Sequence, residues 1–212
     1  MPTIEQARAW YSSADAVHDF DHVLRVYRTA ERLADLEGAD LTIVQAAALL
    51  HDAEGAAPGP GSVRLNHQHA SADFAARILT EEGWSAERIS AVQHCIRAHR
   101  YRDRSEPPQT LEAKILFDAD KLDVLGAVGV ARVIAYAALD GNPFYHPPSD
   151  QFLRTGQETP GEPHSAYHEH LFKLRKVAER MFTPTARSLA TERLAYLDAF
   201  FDRLIAEYQG EL

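Results

Sequence analysis

Residues 47–55 read AALLHDAEG: an apolar run leads straight into an imidazole and a carboxylate, His51 and Asp52. Buried beside Ala and Leu, both groups need partners. A divalent cation would supply one; a helix that has simply reached water would need none. The dipeptide by itself does not decide. It occurs twice, as His18-Asp19 and His51-Asp52, in a chain with 11 histidines, which is near what composition yields by chance. Position is more informative. Consecutive helical side chains point about 100° apart, so neighbours meet one ion most easily where a helix ends, and Gly55 supplies such an end. His22 precedes Val26 by one helical turn and flanks an apolar stripe, from which it can face inward. Asp120 lies in LFDADKLDVLG (116–126) among Leu116, Phe117 and Leu122. Asp123 shares its helical face, whereas Asp118 points about 200° away. His22, His51, Asp52 and Asp120 form a mixed nitrogen–oxygen set suited to one divalent ion: Mn, Fe, Co, Ni, Zn or Mg.

The elements that must position these groups are helices. No strict alternation persists along the chain, and apolar residues recur at helical spacing. TIEQ at 3–6 has the form of a capping box opening a first helix. A long helix follows from Phe20, and Gly38 stops it. Asp40 or Thr42 caps a short helix, TIVQAAALL. Residues 55–66 form a Gly/Pro-rich loop, and helices follow over about 68–82, 86–101 (with Ser85 as N-cap) and 110–140, the last broken near Gly126 or Gly129. Residues 141–163 hold five prolines and three glycines, which excludes a regular element; a loop that long is functional or mobile. Helices over about 165–182 and 184–208 close the chain, with Thr183 as N-cap and Pro184 in the first position. The expected fold is a single all-α domain over 1–212: a core at about 18–140, the loop 141–163, and C-terminal helices at about 165–208.

Composition bounds the partners. The chain of 212 residues carries a formal charge of −9, which disfavours a nucleic acid polymer. A small anionic ligand in a locally basic pocket remains compatible. The single cysteine, Cys95, cannot form an intrachain disulfide and is expected as a small core residue. MPTIEQARAW lacks the pattern of a signal peptide, and the apolar window 124–139 contains Arg132 and is too short to span a bilayer. The expectation is a cytoplasmic protein with no membrane partner, and a homodimer is left open. His164, His168 and His170 are expected as solvated histidines at a helix start.

The ordered set His22, His51-Asp52 and Asp120 resembles the H…HD…D signature of the HD-domain superfamily of metal-dependent phosphohydrolases. HDFDHVLRVYRTAERLA (18–34) resembles the first helix of that family and AALLHDAEG its HD helix. FDADKLDVLGAVGVAR (117–132) and KLRKVAERMFTPTARSLATERLAYLDAF (173–200) resemble a subgroup of small bacterial predicted HD hydrolases. The resemblance implies an all-α HD-domain bundle with His22, His51, Asp52 and Asp120 as metal ligands. The implied reaction is hydrolysis of a phosphate ester by a metal-activated water, the substrate being a nucleotide or another small phosphorylated compound. Several relatives hold a second metal through a later His. Spacing to Ser71-Ala72 favours His67 over His69 for that position, with one ion as the default. His99 matches a recurrent His and lines the pocket.

Further roles follow from the chemistry. Asp52 binds metal, orients water, or both. Asp123 serves as a general acid–base group or fixes a ligand His. Lys121, Arg25 and Arg100 are candidates to stabilise phosphoryl charge, and His67 and His99 to contact substrate. Two other functions compete: a non-catalytic metal- or nucleotide-binding signalling module, and a di-iron oxygenase, which needs further ligands.

Overall fold

The computed structural model describes residues 1–11, 20–54, 67–100 and 106–212, and the regular elements among these residues are helices, with no strand. His18-Asp19 and the Gly/Pro-rich loop 55–66 lie outside the described residues. The chain divides into two compact units, one of Met1–Lys121 with Phe182–Ala186, the other of Leu122–Met181 with Arg187–Leu212.

The first unit contains α1 (Ile4–Arg8), α2 (Phe20–Glu37), α3 (Leu41–Leu50), α4 (His67–Glu81), α5 (Ala86–Ala98) and most of α6 (Leu111–Leu122). Thr3 and Gln6 close the expected capping box on α1. Val23, Val26, Ala30 and Leu33 form the buried stripe of α2, and His22 is buried with them. Gly38 ends α2 at φ 76°, a left-handed conformation that costs Gly little, and Ala39 N–H closes back on Ala34 O. Asp40, not Thr42, caps α3, accepting from the N–H groups of Thr42 and Ile43 at 3.0 and 3.2 Å. The last five residues of α3 are all buried, so this helix is interior and packs on α2, α4 and α5.

Asp118 is fully buried on α6. It accepts from Phe182 N–H at 2.9 Å, Thr183 N–H at 2.8 Å and Thr183 Oγ1–H at 2.8 Å. Thr183 Oγ1 in turn accepts from Ala186 N–H at 3.3 Å, as expected of an N-cap. No single described helix is long and apolar enough to cross a membrane.

The second unit contains α7 (Gly126–Leu139), α8 (Asp150–Thr155), α9 (Ala166–Phe172) and most of α10 (Pro184–Gln209). The expected break falls at residues 123–125. Two sequence expectations need correction. Residues 141–163 do include a regular element, α8, because Ser149 caps it at Phe152 N–H and Gly156 ends it at φ 71°. A Cβ at Gly156 would lie 1.8 Å from the Phe172 ring, so no other residue fits. The helix expected over 165–182 is only α9, followed by 3-10 turns at Leu174–Lys176 and Ala178–Arg180.

Candidate metal centre

The carboxyl end of α3 explains how an apolar helix can end on ionisable groups without reaching water. Its last carbonyls have no helical partners and must find others. His51 Nδ1–H donates to Ala48 O at 2.9 Å, Tyr11 Oη–H to Leu49 O at 2.8 Å, and Ala53 N–H to Leu50 O at 3.3 Å. With those acceptors satisfied, His51 sits fully buried at the C-cap. Its Nδ1–H bond fixes the tautomer and leaves the Nε2 lone pair facing inward. His99 repeats the device at the C-cap of α5, donating Nδ1–H to Ile96 O. Two helix ends thus present imidazole nitrogens in the same way.

These nitrogens converge on Asp52. His51 Nε2 lies 3.5 Å from Asp52 Oδ2, while His67 Nε2 and His99 Nε2 lie 3.2 and 3.4 Å from Oδ1. His22 Nε2 lies 3.5 Å from Asp120 Oδ1, and the His22 and His51 rings are 5.5 Å apart. Ligand-type atoms of His22, His51 and Asp52 lie within 4.8 Å of one another, as do those of Asp52, His67 and His99. Asp52 therefore belongs to two groupings, with one oxygen toward each.

The spacing tests whether a cation fits. Ligand atoms about 2.1 Å from a tetrahedral ion lie about 3.4 Å from each other. The His–Asp contacts have that length. His51 Nε2 and Asp52 Oδ1 are buried with no hydrogen-bond partner, a costly arrangement unless something else satisfies them. Protonation states agree with ligand duty. Burial, ahead of neighbouring charges, pushes the His51 imidazole down to about 4, so it is neutral near pH 7. Burial opposes ionisation of Asp52 and Asp120, yet His51, His67 and His99 hold Asp52 well below the usual carboxylate range. Lys121 and His22 do the same for Asp120.

The remaining sequence candidates separate. Lys121 Nζ lies 2.5 Å from Asp120 Oδ2, leaving Oδ1 toward His22. Arg25 is half-buried on α2. Arg100 donates to Gln68 Oε1 at 3.0 Å, and Gln68, which the sequence did not single out, is almost fully buried beside His67. His69 is exposed, so it is His67 that faces Asp52. Asp123 belongs to the second unit, buried against Arg132 at 2.8 Å. His168 and His170 are fully buried rather than solvated. Phe152 covers His168 at 4.3 Å, and the His170 ring stacks on Phe201 at 4.6 Å.

The model of the HD domain family matches residues 19–125. The chain belongs to the HD domain family. It is 34% identical to the Bacillus subtilis protein YpgQ, over 97% of this chain and 94% of that one. The crystal structure of YpgQ in complex with ADP superposes with a TM-score of 0.73 at 33% identity, covering 97% of each chain. An HD-superfamily hydrolase from Bacillus thuringiensis gives a TM-score of 0.72 at 27% identity, covering 97% of this chain and 96% of that one. The HD-superfamily fold and the His/Asp cluster together support a metal-dependent hydrolase.

Proposed function

We propose that this protein is a phosphohydrolase acting on a nucleotide or a similar small phosphorylated compound, with divalent metal held by His22, His51, Asp52 and Asp120. The observation that carries this reading is the unpartnered pair of His51 Nε2 and Asp52 Oδ1, buried where ligand atoms from α2, α6 and the carboxyl end of α3 converge. A divalent ion there would supply a Lewis acid and an acidified water. The chain supplies the rest. Neutral His51 and ionised Asp52 and Asp120 are ready to bind without first losing protons. Lys121 offsets the charge of Asp120. Arg100, held by Gln68, and Arg25 are the groups proposed to meet phosphoryl charge. A nucleotide is favoured because YpgQ was solved in complex with ADP.

A second reading is favoured by the other face of Asp52. His67 and His99 give it a further two-histidine grouping, which would hold a second ion where the sequence suggested one. These are also the additional ligands that an oxygenase would need. The test is to load the purified protein with Mn, Co, Ni or Mg, count bound ions, and measure phosphate release from nucleotides and phosphate esters. Release with at least one substrate is expected. Full loading without release from any of them would favour the non-catalytic binding module, and two equivalents of tightly held iron would favour oxygen chemistry.

A further inference from the structure

Another cluster of ligand-type side chains lies wholly within the second unit. His146, Glu162 and His168 each place one ligand atom within 4.8 Å of the other two. All three belong to, or directly follow, the Pro/Gly-rich segment 141–163. His168 is fully buried and the Glu162 side chain is 3% exposed.

Each of the three is held from behind. His146 Nδ1–H donates to Pro147 O at 2.9 Å, which leaves Nε2 as its lone-pair nitrogen. Ser165 Oγ lies 2.6 Å from His168 Nδ1, and Ser165 is itself fully buried. Glu162 accepts from Ser149 N–H and Oγ–H at 2.7 and 2.6 Å, and from Thr159 N–H and Oγ1–H at 2.8 and 2.9 Å. Outer hydrogen bonds of this kind fix the tautomer of a ligating His and the orientation of a ligating carboxylate. The inward contact is His168 Nε2 to Glu162 Oε1 at 3.0 Å. Either a proton on Nε2 or a cation can occupy that contact. A proton joins only His168 and Glu162; a cation joins all three.

The setting gives a reason for such a link. Between 141 and 163 the one buried apolar side chain is Phe152, and its ring packs on His168. A segment with so little core is ordered by polar contacts instead. A cation cross-link is a common means of fixing short, poorly cored segments.

We propose that His146, Glu162 and His168 bind a divalent cation of the zinc class, a structural site separate from the HD centre. Two imidazoles and one carboxylate suit that class by ligand type. The proposal does not depend on what the HD centre catalyses.

The test strips the full chain with chelator and titrates it with Zn(II), then with Co(II), counting bound equivalents. His146→Ala and Glu162→Gln should each bind one equivalent fewer than wild type and lack one low-coordinate Co(II) absorption band, while phosphate release is retained. His51→Ala should lose metal but keep that band. His146 is only half-buried, so its substitution spares the fold even if His168→Ala does not. Equal equivalents in wild type and His146→Ala would overturn the proposal and leave the His168–Glu162 contact as a protein hydrogen bond.

Discussion

Among the described residues, two buried histidine–carboxylate clusters are finished in different ways. At the HD centre, imidazole and carboxylate atoms face one another at 3.2–3.5 Å, and two of them have no hydrogen-bond partner. In the second unit, Glu162 is held from behind by donors from Ser149 and Thr159 and also meets His168. The first arrangement leaves lone pairs for exchangeable chemistry. The second uses the same residue types to fix a segment. Residue type alone therefore does not separate a reactive site from a structural one; how each side chain is held from behind does.

The largest expected effect would break this contrast if it failed. His51→Ala and Asp52→Ala should lose metal and at least ~100-fold in phosphate release while staying helical by circular dichroism. His146→Ala should lie within about twofold of wild type in the same assay. Similar losses in all three variants would erase the distinction.

Acid should sharpen it. In the metal-free protein the His51 imidazole titrates near 4, below its unfolded value of about 6.5. The folded form thus binds fewer protons than the unfolded form between those values. Stability is full above about pH 6.5 and falls as pH drops toward 4, by on the order of 3 kcal/mol from this group. Denaturant melts across that window should show the loss, and saturating metal should suppress it by occupying Nε2. A melt independent of pH would mean that His51 is not the buried neutral group described here.

Smaller effects concern the supports. Asp118→Ala leaves three buried donors unpaired and should cost about 2–3 kcal/mol in thermal or denaturant unfolding, with metal stoichiometry in the folded protein unchanged. Gln68→Ala should raise KM about fivefold with kcat nearly constant, because it removes the acceptor that holds Arg100. A change confined to kcat would instead place Gln68 among the groups that act in the transition state.

The candidate HD ligands could be picked out because their order along the chain and their apolar flanks coincide with a family pattern. His22, His51, Asp52 and Asp120 needed no long-range information beyond that. The second half of the site was less so. His99 depends on α5 ending at Ala98, rather than at 101 as periodicity suggests, which puts its ring at a C-cap. Gln68 carries no local signal. His168 and His170 looked solvated because the rings that cover them, Phe152 and Phe201, are distant in sequence or sit within a segment expected to be irregular. Asp118 was set aside by helical geometry as pointing away from Asp120, correctly, but its partners at residues 182 and 183 could not be foreseen from its neighbourhood.

That carboxylate also constrains how the chain can be made. The match to the HD family ends at residue 125, yet the buried oxygens of Asp118 accept from backbone and hydroxyl groups at 182 and 183. A ribosome that has delivered His22, His51, Asp52 and Asp120 has still not delivered those donors. Completion of the first unit must wait until residue 183 has cleared the exit tunnel, so the metal-binding region matures late in synthesis despite lying early in the chain.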